Sequence, residues 1–273
     1  MIGQTELLHK IDTLADRNFP HFVILTGGKG CGKRTVSKYI AKKINANYIP
    51  CGIKADDVRK VIDLCYSQIK PTLYVFPDCE GMSVAAKNSL LKVTEEPPQR
   101  SYFIMTAESS GSILPTLLSR GTSLSLDPYT QKELQVYTLK KHPEATDKQL
   151  EMINTVCSTT GEIDTLFKFN IDEFYENAEI VATKIHVPTT GNIFKISKLI
   201  SLKEGDDGYD PVLFFRLVAS LFFQMGKANK KPQYFEAVKV TYDAIKDLQH
   251  PSIANLGTAD MWIINVRKAL RGI

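Results

Sequence analysis

A glycine-rich segment near the N-terminus constrains the fold more than any other part of the chain. Residues 27–35 read GGKGCGKRT, which meets the phosphate-loop pattern G-x-x-x-x-G-K-[ST] at Gly27, Gly32 and Lys33. A short apolar run, Phe22–Thr26, precedes it and a helical pattern follows, which is the setting that such a loop requires. The candidate nucleotide-binding residues are Gly27, Gly28, Lys29, Gly30, Cys31, Gly32, Lys33, Arg34 and Thr35.

The position after Lys33 departs from the pattern. It normally carries Ser or Thr, whose hydroxyl ligates the magnesium of a bound nucleotide, and here it is Arg34. Thr35 comes one position too late to replace that ligand. Two interpretations stay open. The loop binds phosphate through its N–H groups and Lys33, with the Arg34 guanidinium supplying some of the metal's charge, or it is a relic that only packs.

Composition narrows the class of protein without identifying it. At 273 residues, with 43% hydrophobic and 23% charged residues, the chain is typical of a soluble protein of more than one domain. The net charge of +4 permits a nucleic-acid partner but does not require one. The longest apolar run, Val212–Met225, is interrupted by Arg216 and is shorter than the ~18–20 residues of a membrane span. We therefore expect a cytoplasmic protein without a membrane partner.

The cysteines and histidines do not predict a metal site. None of the five cysteines forms a C-x-x-C pair, so no zinc is expected, and reduced thiols are the simplest interpretation. The five histidines are scattered and form no metal-ligand motif.

Strand and helix patterns alternate over the first 128 residues and then give way to helices. Alternation of this kind predicts an α/β fold with a parallel sheet. The predicted strands are Phe22–Thr26, Leu73–Phe76 and Tyr102–Thr106, and the predicted helices between them include Asp56–Gln68 and Met82–Thr94. Beyond Pro128, helices are predicted over Thr130–Lys140, Thr146–Cys157, Ile171–Ile185, Leu213–Met225, Tyr234–Leu248 and Thr258–Leu270, with Gly161 closing the first pair and a polar turn over 204–208.

Two further segments carry candidate chemistry. In P-loop enzymes that hydrolyse nucleotide, the strand after the loop's helix ends in an acid that helps to hold magnesium. Here the strand is followed by Pro77, which can ligate nothing, and then by Asp78, which would serve only if the strand were one residue longer. Arg120, after the third predicted strand, is either a structural surface residue or an arginine finger that stabilises charge on a neighbour's nucleotide.

Several segments in order resemble the AAA+ clamp loaders of DNA replication, in particular the delta-prime-type subunit of bacterial DNA polymerase III. Ile2-Gly3-Gln4 is similar to the segment on the adenine side of the family's site, and GGKGCGKRT follows it. MSVAAKNSLLKVTEEPP (Met82–Pro98) is the most specific stretch, and ILPTLLSRG (Ile113–Gly121) resembles the family's S-R-C motif, with Gly121 in place of the cysteine. The resemblance implies an AAA+ P-loop domain over 1–128, a helical lid over 129–185 and a helical collar for oligomerisation over 186–273.

The departures from the family fall mainly on one kind of residue. Features that serve a subunit's own nucleotide are altered at Arg34, at Pro77, at Glu108, where a sensor asparagine is usual, and at Asp164, where a sensor arginine is usual. The feature that serves a neighbour's nucleotide, Arg120, is kept. The family's zinc-binding cysteines are absent.

This asymmetry predicts a stator subunit, inactive at its own site and catalytic in trans. The resemblance implies other clamp-loader subunits, a sliding clamp and primer-template DNA as partners, with ATP or ADP as the nucleotide and magnesium in doubt. Lys87 and Asn88 lie where related subunits line the DNA chamber, although two polar residues on a helix also suit a solvated face. The alternatives are a motor subunit that hydrolyses ATP, with Asp78 holding the metal, and an adaptor that uses the scaffold only to bind proteins.

Overall fold

The computed structural model describes residues 2–168, 170–187, 196, 210–248 and 255–272, and these group into two compact units. The first unit runs up to Glu133 and includes Thr159–Gly161. The second unit contains Leu134–Ser158 and the described residues from Glu162 onward. The predicted turn at 204–208 lies outside the described residues. The division into domains at 128 and 185 stays a prediction.

The first unit is built on a parallel sheet of five strands in the order β2-β3-β4-β1-β5. The strands are β1 (Phe22–Thr26), β2 (Asn47–Pro50), β3 (Thr72–Phe76), β4 (Ser101–Ala107) and β5 (Thr122–Ser125). The helices are α1 (Thr5–Arg17), α2 (Lys33–Lys43), α3 (Ala55–Cys65), α4 (Val84–Glu95) and the short α5 (Pro115–Leu118). The α/β fold with a parallel sheet is confirmed.

Alternate side chains of the central strands pack into two separate hydrophobic cores, one on each face of the sheet. Phe22 and Ile24 of β1 pack with α3, α4 and the cluster around Phe76. Val23 and Leu25 of the same strand pack with α1, α2 and the cluster around Ile40. Successive residues of a strand point to opposite faces, so a strand buried on both faces is apolar throughout. This explains why β1, β3 and β4 could be predicted from their composition.

The two remaining strands were not predicted because they lack that signal. The strand β2 is a mostly exposed edge strand, and β5 reads TSLS with only Leu124 buried. Their strand conformation depends on pairing with β3 and β1 respectively. The helix α4 begins at Val84 rather than Met82, because the Ser83 hydroxyl accepts a hydrogen bond from the Ala86 N–H and caps it.

The second unit is helical in the part that the structure describes. Its helices are α6 (Gln131–Lys141), α7 (Asp147–Val156), α8 (Thr160–Leu166), α9 (Ile171–Lys184), α10 (Pro211–Asn229), α11 (Pro232–Leu248) and α12 (Asn255–Arg271), of which α6 and α8 begin in the first unit. The prediction that Gly161 closes a helix pair is wrong, because Gly161 lies in the first turn of α8.

The helix α10 forms the centre of this unit and packs against α7, α9 and α11. It is the one described helix with the length and apolar composition of a membrane span, and half of that window is buried inside the protein. It extends beyond the run Val212–Met225 at both ends: it begins at Pro211, whose missing N–H costs nothing in the first turn, and it ends at Asn229. The Asp210 carboxylate caps the helix by accepting from the N–H groups of Val212 and Leu213.

Candidate functional site

The phosphate loop connects the end of β1 to the first turn of α2. Gly32 is the residue before the helix and has φ 98°, and Gly30 has φ 79°, both in the left-handed region that favours glycine. A Cβ at Gly30 would lie 2.5 Å from Thr159 Oγ1. The loop therefore requires glycine at these two positions, and it places backbone N–H groups at a helix N-terminus, where anions are favoured.

Lys33 is folded back onto the loop that precedes it. Its ammonium group donates to the carbonyl oxygens of Gly27 at 2.6 Å and Gly28 at 3.0 Å, and the residue is 8% exposed. Arg34 and Thr35, the next two residues, are both exposed on the first turn of α2. The loop thus offers N–H groups and one ammonium group to a phosphate, which is an anion-binding set without the usual hydroxyl ligand for magnesium.

Two segments from later in the chain are bound to the loop. The Tyr129 hydroxyl donates to the Cys31 carbonyl oxygen at 2.9 Å, and the Gly161 N–H donates to the Gly30 carbonyl oxygen at 3.1 Å. The Thr160 hydroxyl donates to the same Gly30 oxygen at 3.4 Å. Burial raises the pKa of the Tyr129 hydroxyl, which therefore stays protonated as a donor. These contacts could not be predicted from the sequence, because no motif marks Tyr129 or the residues 159–161.

Acidic side chains gather where β3 and β4 end. Asp78 is exposed and its N–H donates to Thr106 Oγ1 at 3.1 Å, and the Glu80 carboxylate accepts from the N–H of Glu108. Burial raises the pKa of the Cys31 thiol, and Glu108 adds to that rise whereas Lys33 opposes it.

The structure contradicts the condition under which Asp78 was considered as a metal ligand. The strand β3 ends at Phe76 and is not extended by a residue, so Asp78 lies two positions beyond it. Its backbone is left-handed, with φ 46°, and leads into a single 3-10 turn over Cys79–Gly81. Asp78 therefore does not occupy the end of the strand.

Arg120 is held at the surface of the first unit by two neighbouring elements. Its Nε and Nη2 groups both donate to Glu95 Oε1, the former at 2.7 Å. Its Nη1 group donates to the carbonyl oxygen of Thr116 at 2.6 Å and to the Ser119 hydroxyl at 3.4 Å. The Arg120 side chain remains 31% exposed. Glu95 lies within Met82–Pro98, the segment that most specifically resembles the clamp-loader family, but nothing in the sequence links it to Arg120.

The placement of Lys87 corrects the interpretation of that residue as part of a solvated face. Lys87 is 8% exposed, and its ammonium group donates to the Ser112 carbonyl oxygen at 2.7 Å. It is therefore not part of a solvated face, and its contact with DNA stays a prediction. Asn88, the next residue along α4, is exposed.

Two other residues named from the resemblance have defined partners. Gln4 pairs with the backbone of Asp127 through both ends of its amide, at 2.7 Å and 3.0 Å, and so fixes the N-terminal segment beside the segment after β5. In the second unit, the Asp164 carboxylate accepts from Lys141 Nζ at 2.6 Å and from the Tyr137 hydroxyl at 2.8 Å. The bond to Asp164 raises the pKa of Lys141. The position where a sensor arginine was expected thus holds an engaged carboxylate.

The phosphate loop after β1, the strand order of the parallel sheet and the helices that follow give this chain the fold of AAA+ P-loop proteins. A solved structure shares this fold: a DNA polymerase III, gamma subunit-related protein from Thermotoga maritima. The TM-score is 0.56 at 15% sequence identity, and the match covers 97% of this chain and 100% of the other. At this identity the likeness demonstrates the fold alone.

Sequence relatives narrow the class further. The family described as "DNA polymerase III, delta subunit" matches residues 52–130. DNA polymerase III subunit tau of Bacillus subtilis is 24% identical over 183 residues, and DNA polymerase III subunit delta' of Yersinia pestis is 39% identical over 66 residues. The matches cover 55% and 23% of this chain but only 32% and 19% of those relatives. Over these parts the chain is thus similar to DNA polymerase III subunits, in agreement with the resemblance inferred from its motifs.

Proposed function

We propose that this chain is a delta-prime-type clamp-loader subunit that does not hydrolyse ATP itself. In an assembly with other clamp-loader subunits it acts as a stator and supplies Arg120 to the nucleotide site of a neighbouring motor subunit. The single observation that carries the proposal is a contrast between Arg120 and the chain's own phosphate loop. The guanidinium of Arg120 is held with part of its surface exposed, whereas the position directly after Lys33 in the loop carries Arg34 and no hydroxyl.

The chain's own site supports binding of phosphate better than hydrolysis. The loop's N–H groups and Lys33 suit the phosphates of ATP or ADP. Hydrolysis in P-loop enzymes also needs magnesium, held by the loop hydroxyl and a strand-end acid. Here Arg34 takes the place of that hydroxyl, and β3 ends at Phe76, two residues before Asp78, which speaks against both ligands.

The remaining parts of the proposal follow from the family. Closure of the assembly on ATP would open a sliding clamp and place it on primer-template DNA, which is a cytoplasmic task in bacteria. The helical unit would hold the subunit in the assembly. Arg120 would act on the neighbour's phosphates by stabilising charge in the transition state, as arginine fingers do in other P-loop enzymes.

The second candidate is a motor subunit that hydrolyses ATP. The observation in its favour is that the longer matches, such as the 183-residue match, are to relatives named tau and gamma, whereas the match to a delta' subunit covers 66 residues. In that case Thr35, Asp78 or water would have to replace the missing metal ligands.

ATP binding and hydrolysis by the purified single chain, with and without magnesium, separates the two candidates. No turnover, with nucleotide binding that is absent or independent of magnesium, supports the stator. Turnover that depends on magnesium and is abolished by Lys33→Ala identifies a motor subunit and overturns the proposal.

A further inference from the structure

We infer that Glu95 is a positioning residue for Arg120, and that it fixes the direction in which the guanidinium points from the surface of this subunit. This inference rests on the proposed function, because it assigns a cause to the geometry of the same arginine. It names a residue that acts through Arg120 without touching the neighbour's nucleotide.

The first argument is the geometry of the pair. A guanidinium carries five N–H donors in a rigid plane, so anchoring one edge and one end determines where the remaining donors point. Glu95 Oε1 accepts from Nε and Nη2, and the Thr116 carbonyl accepts from Nη1. The anchors come from two different elements, the last residue of α4 and the short helix α5. The plane of the guanidinium is thereby held relative to the sheet that both elements pack on.

The second argument is the position of Glu95 on its helix. Glu95 is the C-terminal residue of α4, where the helix dipole disfavours a carboxylate. The side chains of Glu95 and Arg120 are 48% and 31% exposed, and an exposed pair of this kind adds little to stability. A contribution to stability therefore does not explain the presence of an acid at position 95. The ordering of the long, flexible Arg120 side chain before it meets its target explains it better, because a side chain that is already ordered loses less entropy on binding.

The third argument is that part of the guanidinium stays available. The bonds to Glu95 use Nε and one N–H of Nη2, and the side chain is partly exposed despite its partners. The carboxylate also draws the guanidinium toward itself, which limits the set of rotamers in which it points elsewhere. Positioning therefore leaves donors for a phosphate group.

The test is the steady-state ATPase activity of the reconstituted clamp-loader complex with Glu95→Gln. We expect kcat to fall at least tenfold with little change in KM, while the complex still assembles. In the Arg120→Ala background, Glu95→Gln should have no further effect, because it acts only through that arginine. Glu96→Gln, the same change of charge one residue along, is the matched control and should leave kcat unchanged.

The outcomes separate this inference from the proposed function. If Arg120→Ala leaves kcat unchanged, the finger role fails, and this inference fails with it. If Arg120→Ala lowers kcat but Glu95→Gln does not, the positioning role alone is overturned. If Glu95→Gln raises kcat, Glu95 restrains the arginine instead of presenting it, and the inference is wrong.

A measurement on the single chain tests the same pair without partners. The 15N–1H heteronuclear NOE of the Arg120 Nε–H should be that of an ordered side chain and should fall in Glu95→Gln. An Nε–H that is equally mobile in both proteins would overturn the inference, whatever the ATPase activity shows.

Discussion

The Gly161 N–H donates to the Gly30 carbonyl oxygen at 3.1 Å, so the phosphate loop is bound by a segment that follows it by more than a hundred residues. The backbones approach so closely that a Cβ on Gly161 would lie 2.8 Å from the Gly30 Cα. A phosphate loop in which a carbonyl and a glycine Cα are already in contact with the protein is less free to rearrange.

Gly30→Ala should destabilise the protein, and Gly28→Ala should not. Gly30 has φ 79°, where an L side chain costs about 1–2 kcal/mol, and its Cβ would meet Thr159 Oγ1. A Cβ on Gly28, in the same loop, would meet nothing within 4 Å. Urea unfolding followed by far-UV circular dichroism measures the two free energies. Equal values for the two variants would contradict the contact between the loop and Thr159.

Thr241→Val should lower the free energy of unfolding of the helical unit by about 1–3 kcal/mol, because it leaves a buried indole N–H without an acceptor. Trp262 Nε1 donates to Thr241 Oγ1 at 3.0 Å, and both residues are buried. Thr138→Val is the matched control. Thr138 is equally buried and bonds the carbonyl four residues earlier, as Thr241 does.

Trp262 is the chain's one tryptophan, so its fluorescence reports the unfolding of this unit directly. Thr138→Val loses the same bond to the preceding turn without affecting the indole. A loss for Thr138→Val as large as that for Thr241→Val would show that the indole bond contributes nothing.

Arg120→Ala should lower the ATPase activity of the reconstituted complex while leaving its assembly intact. Arginine fingers contribute ~10³–10⁵ in rate in other P-loop enzymes, and part of that effect is expected here. Arg59→Ala is the control, because Arg59 is an exposed arginine that pairs only at the surface, with Asp56. Size-exclusion chromatography checks assembly in each case, and an unchanged rate in Arg120→Ala would refute the finger role.

Stability should fall as the pH rises above about 9, in part through two buried thiols. Burial raises the pKa of both Cys51 and Cys79 from the model-compound value of 9.0 to about 12. A group whose pKa is raised in the folded state stabilises that state below its unfolded pKa, and the stabilisation is lost between the two values as the unfolded thiol ionises. Urea midpoints at pH 8 and pH 10.5 measure the loss, which should be smaller in Cys79→Ala. An identical pH dependence in the variant would exclude the thiol as a cause.

The class of the fold and the phosphate loop could both be predicted from the residues alone. The strands β1, β3 and β4 are buried on both faces and so must be apolar throughout. They can therefore be recognised in the sequence as apolar runs. The phosphate loop can be recognised for a similar reason, because the left-handed backbone at Gly30 and Gly32 favours glycine at both positions. The replacement of the hydroxyl residue by Arg34 can also be read from the sequence without a structure.

The contacts between residues far apart in the chain could be learned only from the folded structure. The edge strands β2 and β5 take their conformation from their neighbours, and their own residues carry no burial pattern. Lys87 was expected on a surface, yet its ammonium reaches the Ser112 carbonyl, because a long side chain can turn toward an acceptor that no helical periodicity encodes. The pairing of Glu95 with Arg120 belongs to the same kind. Such contacts depend on how elements pack, and side-chain reach across that packing is not a property of any local segment.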